Sequence, residues 1–303
     1  MLASLLPLWL VAGCGVHGDG MLAAAGEVAE IQRDQLMRIT LLVLVVIAPV
    51  FIGLPLILWR DRLSRGADAY RPDWHFSARL EYFIWGVPIV IVSLLAISLW
   101  TTLHEIDPYQ RLRPGTDPVR VQVVGLDWKF LFIYPDEGVA SVNRLVLPEG
   151  REVAFDITAD GPMMAFMIPR LGGQIYAMAG MRTKLHLIAD RTGSYRGLNT
   201  QFNGSHFHEQ HFAVQVRDAA GYRRWVEGAR AAPPLDGARY AALARPSTVA
   251  QPMTFGRAQP GLFDHIVAKY HHAGSPDGAL RGVAPTPPDH GKAAQPVPAE
   301  AMP

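Results

Sequence analysis

The sequence has very little cysteine, since its 303 residues contain only Cys14. A single cysteine forms no disulfide within the chain, and it excludes every metal site that needs two thiolates. At roughly 150 residues per domain, a chain of this length holds about two domains. The lack of thiols therefore rules out both a disulfide scaffold and a thiolate metal centre.

Charge is also scarce, and it is balanced. Charged residues make up 18% of the chain, against about 25% in a typical soluble domain. Lys and Arg total 28 and Asp and Glu total 27, so the formal net charge is +1. Without a basic excess we predict no nucleic-acid partner. A hydrophobic content of 50% with so little charge predicts segments that lie in lipid.

Two long runs, residues 39–59 and 82–103, contain no charged residue. About 21 residues at about 1.5 Å each reach about 32 Å, which matches a hydrocarbon core of about 30 Å. The connector between them carries Arg60, Arg62, Arg65, Arg71 and Arg79. The positive-inside rule makes this connector cytoplasmic and places both chain ends outside the inner membrane.

The segment ending at Cys14 resembles a bacterial lipoprotein signal. An apolar run leads through Val11, Ala12 and Gly13 to the cysteine, although residues 1–13 lack the usual basic residues. We expect cleavage before Cys14 and lipidation of its thiol, which would add contact with membrane lipid. The alternative is an incidental cysteine in a hydrophobic leader.

Beyond residue 117 the pattern changes to short β-forming segments. Val119, Val121 and Val123 alternate with polar neighbours, and residues 128–134 are rich in β-formers. Further strands are predicted at residues 144–147, 153–158, 165–168, 184–189 and 212–216, with turns at 148–150, 160–162, 172–173 and 191–193. This spacing predicts an antiparallel β-sandwich or barrel. Helices are predicted near residues 222–231 and 262–271, followed by a Pro-rich disordered tail.

Four stretches resemble subunit II of haem-copper terminal oxidases. They are DWKFLFIYP at residues 127–135, AFMIPRLGGQIYAMAGM at 165–181, EYFIWGVP at 81–88 and QPMTFGR at 251–257. The second is most similar to the quinol-oxidising branch, the cytochrome bo-type ubiquinol oxidases. The similarity covers roughly residues 32–270, which makes it far more specific than a short motif.

This resemblance implies a two-helix transmembrane hairpin, an all-β cupredoxin-like sandwich without metal, and a short helical C-terminal segment. The expected organisation is a lipoprotein signal (1–13), a periplasmic N-terminal segment (14–37), transmembrane helix 1 (38–59), a cytoplasmic loop (60–81), transmembrane helix 2 (82–103), a periplasmic cupredoxin-like domain (117–219), a helical, aromatic-rich C-terminal segment (220–272) and a disordered tail (273–303).

The resemblance also implies a function. The chain would be the non-catalytic subunit II of a proton-pumping ubiquinol oxidase, with ubiquinol and oxygen as substrates of the complex. Its partners would be subunits I, III and IV. No cofactor is expected on this chain, because the resemblance places the haems and the remaining copper on subunit I.

The cytochrome c-oxidising branch holds two coppers in a loop that reads Gly-x-Cys-x-Glu-x-Cys-Gly-x-x-His-x-x-Met. Residues 197–210 resemble that frame, but every side-chain ligand differs. The ligand positions are occupied by Met164, Asn199, Gln201, Asn203, Phe207 and Gln210. Two thiolates are needed for such a soft copper pair, so the sequence predicts no metal site and argues against a cytochrome c oxidase.

A histidine cluster supports a rival interpretation. His206, His208 and His211 lie within six residues, and in an extended segment His206 and His208 would share a face. Imidazoles suit copper, zinc or nickel, so the alternative function is a membrane-tethered, metal-binding periplasmic lipoprotein. The other interpretation is three surface histidines without a metal.

Four further residues are candidates for a functional role. Glu81 matches an acid near the mouth of a proton path into subunit I, or it is an interfacial carboxylate beside Arg79. Trp128 matches an aromatic residue used for electron transfer in the cytochrome c branch; without copper we expect a buried anchor or a subunit contact. Arg170 and Tyr176 are expected to contact subunit I.

Overall fold

The structure is a computed structural model that describes residues 20–60 and 76–271. Several predictions fall outside these residues and remain predictions. They are the signal at 1–13, lipidation of Cys14, most of the cytoplasmic loop with Arg62, Arg65 and Arg71, and the tail at 273–303.

Two long helices precede the β-domain: α1 (Glu27–Arg60) and α2 (Ala78–Glu105). Both are long and apolar enough to cross a membrane, and the apolar side chains along them are exposed. Helix α1 begins well before the predicted span at residue 38. Its first turn packs on the β-domain, where Val28 and Ala29 are buried, so tertiary contact extends the helix beyond the lipid-soluble run.

A buried amide joins the two helices near their outer ends. Gln35 of α1 is 7% exposed, and its Oε1 accepts hydrogen bonds from Ser98 Oγ at 3.1 Å and Thr102 Oγ1 at 3.3 Å. In a membrane, apolar side chains gain little by leaving lipid for another helix, so polar side chains of this kind join helices through hydrogen bonds. The hairpin is therefore held in register by a contact that the apolar runs do not reveal.

Eleven strands form two sheets in the described part of the chain. They are β1 (Val119–Leu126), β2 (Lys129–Tyr134), β3 (Val139–Val142), β4 (Arg144–Pro148), β5 (Glu152–Ala159), β6 (Met164–Ile168), β7 (Gly172–Ala177), β8 (Thr183–Ile188), β9 (Gly193–Asn199), β10 (His211–Arg217) and β11 (Met253–Phe255). The first sheet has the order β11-β3-β2-β1-β5-β8, and the second has the order β4-β10-β9-β6-β7.

The predicted hairpin and cupredoxin-like sandwich are confirmed, but the sandwich is not purely antiparallel. Strands β1 and β5 pair in parallel, with Val119 opposite Val153, and so do β4 and β10. The chain leaves the first sheet after β3, forms β4 in the second sheet and then returns to the first sheet as β5. Strand β5 therefore runs in the same direction as its neighbour β1. Strand alternation along the sequence cannot reveal such a crossing.

Phenylalanine rings fill the space between the sheets. Phe130 and Phe132 of β2 and Phe166 of β6 surround Phe212 of β10, with ring centroids 5.1–5.3 Å from it. All four rings are essentially inaccessible to solvent. Edge-to-face and stacked contacts at this spacing add to the burial of their large apolar area.

One predicted turn is wrong, because residues 172–173 start β7. The turn predicted at 191–193 does separate β8 from β9, but its last residue, Gly193, already starts β9, which lies between β10 and β6 in the second sheet. Strand β9 has few β-forming residues, and its neighbours on both sides supply its hydrogen bonds. Gly197 of β9 is required because the ring of Phe212 lies directly over its Cα.

The C-terminal segment covers the outer face of the first sheet. Helices α3 (Ala219–Arg230) and α5 (Leu262–His271) confirm the two predicted helices, and α4 (Gly237–Leu243) was not predicted. Apolar residues of α4, α5 and β11 form a second core with the outward side chains of β1 and β2. The first sheet is therefore buried on both faces, which accounts for the continuous apolar run of β2.

Two buried charges fasten this segment to the sandwich. Lys129 Nζ donates to the carbonyl oxygens of Arg245 and Ser247 at 3.0 and 2.8 Å. Asp160 accepts from Tyr240, Lys269 and Tyr270 at 2.5–2.7 Å. Burial would raise the pKa of Asp160, but these hydrogen bonds outweigh it and hold the pKa below its usual range.

We predict that Gly197→Ala destabilises the sandwich. A Cβ at this position would lie 2.1 Å from Phe212 Cζ, so the ring must leave its packed position. Overpacking of this kind costs about 1–3 kcal/mol, or roughly 2–10 °C in the unfolding midpoint. Thermal unfolding of the full chain in detergent measures it. Gly228→Ala is the control: α3 has open space there, so its midpoint should hold or rise. Equal midpoints for the two variants would contradict the packing argument.

Candidate functional site

One end of the sandwich brings together residues that are far apart in the sequence. The end of β1, the start of β6, the end of β9 and the start of β10 meet there, because β9 runs antiparallel to both β6 and β10. Met164 opens β6, Asn199 closes β9, and Gln210 immediately precedes β10. All three side chains are buried.

The side-chain amide of Gln210 is the centre of this end. Its Oε1 accepts from Asn199 Nδ2 at 2.9 Å and from Asn203 Nδ2 at 2.7 Å. Its Nε2 donates to the carbonyl oxygen of Leu126 at 3.2 Å and lies 3.1 Å from Met164 Sδ. We call Met164, Asn199, Asn203 and Gln210 the amide cluster. Both polar atoms of the Gln210 side chain are thus hydrogen-bonded within the protein.

Asn199 extends the cluster into the backbone. Its Oδ1 accepts from the amide nitrogens of Ala165 and Gln201 at 2.8 and 2.9 Å, and its Nδ2 also donates to the Gln201 carbonyl. The cluster therefore fixes the start of the loop at residues 200–210. Because buried amides without partners cost about 1–3 kcal/mol, this arrangement must form as a unit.

Six residues were predicted to stand where the cytochrome c branch has its copper ligands, and the amide cluster contains four of them. Gln201 contributes backbone atoms, and Phe207 lies in a single 3-10 turn with its ring 5.7 Å from that of Phe202. A copper pair does not fit these residues. Asn199, Asn203 and Gln210 are neutral amides that already bond one another, and no thiolate faces them within the described chain.

The histidines do not share an extended face. His206–Glu209 is turned, so His206 Nδ1 lies 2.9 Å from Glu209 Oε1 and its ring contacts Trp128 at 4.7 Å. That hydrogen bond lowers the pKa of Glu209. His211 is exposed at the start of β10. Throughout residues 20–60 and 76–271, no three His, Cys, Asp or Glu side chains are grouped to hold a metal ion.

Trp128 is not part of the strand predicted at 128–134. It lies in the turn between β1 and β2 with a φ of 61°, a conformation that a bulky side chain rarely adopts. The residue is half-buried rather than a core anchor, and its Nε1 has no partner among the residues described. This strained turn places the indole at the surface of the same end as the amide cluster.

Large apolar side chains around this end are exposed. Met163, Tyr176, Met181 and Phe202 lie in or next to loops at this end and expose 42–72% of their surface. Together with the half-buried Trp128 we call these residues the apolar end face. Exposed apolar side chains gathered at one end of a domain are typical of a contact with another protein or with a membrane.

Arg170 and Glu81 lie away from this end. Arg170 Nε donates to the carbonyl of Ala23 at 2.7 Å, and its guanidinium lies over the ring of Tyr195 at 4.6 Å. Arg170 therefore holds the residues before α1 against the sandwich. Glu81, in the first turn of α2, accepts a hydrogen bond from Trp85 Nε1 at 3.1 Å.

The sequence interpretation missed Asp160, Lys129 and Gln35. Each is buried, and each takes its partners from segments more than 60 residues away. Lys129 could have been noticed, because it begins an otherwise apolar strand and a Lys is almost never fully buried without partners. The sequence therefore indicated that Lys129 has hydrogen-bond partners, although not which ones. Nothing local marks Asp160 or Gln35.

Comparison with known proteins now assigns the family. Residues 230–274 match the family model for the COX aromatic-rich motif, which includes most of the C-terminal segment fastened by Asp160. The chain is 40% identical over 280 residues to cytochrome bo(3) ubiquinol oxidase subunit 2 of Pseudomonas aeruginosa, covering 92% of this chain and 84% of that one. It is 39% identical to ubiquinol oxidase subunit 2 of Acetobacter aceti, covering 87% and 85%.

The chain belongs to the quinol oxidase subunit 2 family. It is therefore a subunit of a haem-copper oxidase complex, and its two apolar helices make it an inner-membrane protein. A solved structure, the periplasmic domain of cytochrome oxidase subunit II (CoxB) of Bradyrhizobium japonicum, is also similar. It shares 22% identity at a TM-score of 0.36, over 38% of this quinol oxidase subunit and 96% of that chain.

We predict that Gln210→Ala destabilises the sandwich by about 3 kcal/mol. The change removes the acceptor of Asn203 Nδ2, one of the two acceptors of Asn199 Nδ2 and a donor to the Leu126 carbonyl. The unfolding midpoint of the full chain should fall by roughly 6–12 °C. Gln201→Ala is the matched control, since the contacts of Gln201 in the amide cluster are made by its backbone. Its midpoint should stay within about 2 °C of the parent. A similar loss in both variants would show that the amide cluster is not the cause.

Proposed function

We propose that the chain is the non-catalytic subunit II of a proton-pumping ubiquinol oxidase in an aerobic respiratory chain. The complex would oxidise ubiquinol, reduce oxygen to water and conserve energy as a proton gradient. The observation that carries this proposal is the amide cluster, which occupies the end of the sandwich where the cytochrome c branch holds copper. A site of neutral amides has no means of accepting electrons from a cytochrome.

The haems and the remaining copper would then be bound by subunit I, and subunits III and IV would complete the complex. The names of the relatives support ubiquinol as the electron donor. This chain would contribute packing surfaces rather than a redox group. Its role would be the assembly and stability of subunit I.

We further propose that the apolar end face contacts subunit I. Trp128 and Tyr176 belong to this face, in agreement with the contact expected for them, and Phe202 exposes 72% of its surface beside them. Burying such side chains against a partner gains about 25 cal/mol per Å² of apolar area. Arg170 lies away from this face and bonds the chain's own residues before α1, so its contact with subunit I stays a prediction.

The proposed topology follows from the helix positions. Helix α1 begins on the sandwich and α2 returns to it, so the sandwich and both chain ends would lie in the periplasm. Cleavage after residue 13 and a lipid on Cys14 agree with that orientation. The arginine-rich loop at 60–81 would face the cytoplasm.

The experiment that tests the proposal is a visible redox difference spectrum, recorded with and without carbon monoxide. The tagged full chain would be purified in mild detergent from membranes that contain the oxidase. We expect co-purified haem with a component that binds carbon monoxide. A colourless preparation would contradict the subunit assignment and favour the alternative of a metal-binding lipoprotein acting through His206, His208 and His211.

We predict that Glu81→Gln slows turnover of the complex without reducing its assembly. Gln retains an acceptor for Trp85 Nε1 but cannot take up a proton, so only a proton role is lost. Oxygen consumption per haem measures turnover, and haem yield measures assembly. Glu105→Gln, at the opposite end of α2, is the control and should leave turnover unchanged. Unchanged turnover in the Glu81 variant would refute a proton path at this acid.

A further inference from the structure

A surface cavity of about 370 Å³ lies on the side of the sandwich along α3, outside the amide cluster and the apolar end face. One wall is a face of α3 that includes Tyr222, Arg223 and Arg230. The other wall includes Glu137 and Arg151. Nothing in the proposed function uses these residues.

The hydroxyl of Tyr222 is the first reason to consider a ligand. Tyr222 is 5% exposed, yet its hydroxyl has no hydrogen-bond partner within the described residues. The other buried tyrosines differ. Tyr134 exchanges hydrogen bonds with the backbone of Val146 at 2.8 and 3.2 Å, and Tyr195 donates to the carbonyl of Arg191 at 2.6 Å. Tyr222 lines the cavity. A buried hydroxyl that has no hydrogen-bond partner lowers the stability of the fold by about 1–3 kcal/mol unless a ligand binds it.

The charges around the cavity indicate the sign of that ligand. Arg151, Arg223 and Arg230 line it, against Glu137 and Glu227. Glu137 is engaged by Arg230, whose Nη2 lies 3.4 Å from Glu137 Oε2. Arg223 makes no hydrogen bond or ion pair within the described part of the chain, and Arg151 donates only to the Asp117 carbonyl at 3.2 Å. Two guanidinium groups thus remain without an anionic partner, against the one carboxylate of Glu227, which has no cationic partner among the described residues.

The hydroxyl can act only as a donor to an anion. Burial and the nearby carboxylate of Glu137 raise the pKa of Tyr222 well above its ordinary value. The phenol therefore stays protonated at every physiological pH. A neutral donor beside two unpaired guanidinium groups matches the acceptor oxygens of a tetrahedral oxyanion.

We propose that this cavity binds a phosphate group, held by the hydroxyl of Tyr222 and the guanidinium groups of Arg223 and Arg151. The group can be free inorganic phosphate or the headgroup of a phospholipid, since both present the same oxygens. The cavity lies beside the linker that follows α2, because Arg151 holds Asp117 of that linker.

The test is a phosphate titration of the full chain in detergent, followed by thermal unfolding at constant ionic strength with chloride as the balancing anion. Saturable stabilisation by inorganic phosphate is expected, as for any ligand that binds the folded state alone. Tyr222→Phe should weaken phosphate binding by about 3–10-fold, and Arg223→Gln by about tenfold or more. Arg196→Gln, an exposed arginine on β9, is the matched control and should bind phosphate as the parent does.

No saturable effect in the parent chain would overturn the proposal, and so would equal affinity in all three variants. Because Phe keeps the buried ring, Tyr222→Phe should fold, so its lost phosphate response is separable from misfolding. Repeating the titration in bilayers with or without phosphatidylglycerol distinguishes the sources. Competition by the anionic lipid indicates a headgroup site, and an unchanged titration indicates free phosphate.

Discussion

The buried side-chain amide of Gln210 is the interaction on which this end of the sandwich depends. It joins the β1–β2 turn, the start of β6 and the loop between β9 and β10. A neutral amide can do this because it offers donors and an acceptor at fixed geometry without the desolvation cost of a charge. Neutral amides that bond one another make this end unsuited to a copper pair.

A second constraint is the burial of the first sheet on both faces. One face packs on the second sheet through Phe130 and Phe132, and the other packs on the C-terminal segment. Lys129 and Asp160 stabilise that cover because most of the acceptors of Lys129 and the side-chain donors to Asp160 belong to the segment. The aromatic-rich motif is therefore packed on the sandwich as a third layer of the β-domain.

The membrane hairpin and the sandwich are joined by specific contacts. Ala25, which precedes α1, bonds to the sandwich through both of its backbone polar groups. Its amide nitrogen donates to the Arg170 carbonyl at 2.7 Å, and its carbonyl accepts from Asp190 N at 3.0 Å. The linker after α2 is held by the buried Glu152, which accepts from Leu112 N at 3.0 Å and contacts His186 Nδ1 at 2.8 Å. These contacts hold the start of α1 and the linker after α2 against the sandwich.

The sequence alone determined the two helices, most strands of the sandwich and the absence of thiolates from the β-domain. These features depend on local periodicity, on apolar length and on residue type, all of which are readable within a short window. It also marked the positions of the amide cluster, although only as missing ligands. The tertiary structure decided that Met164, Asn199, Asn203 and Gln210 bond together, that β1 and β5 are parallel, and that Gly193 begins a strand. These properties depend on which distant segment lies alongside, and a hydrogen bond between residues 80 or 110 positions apart leaves no periodic trace in the chain.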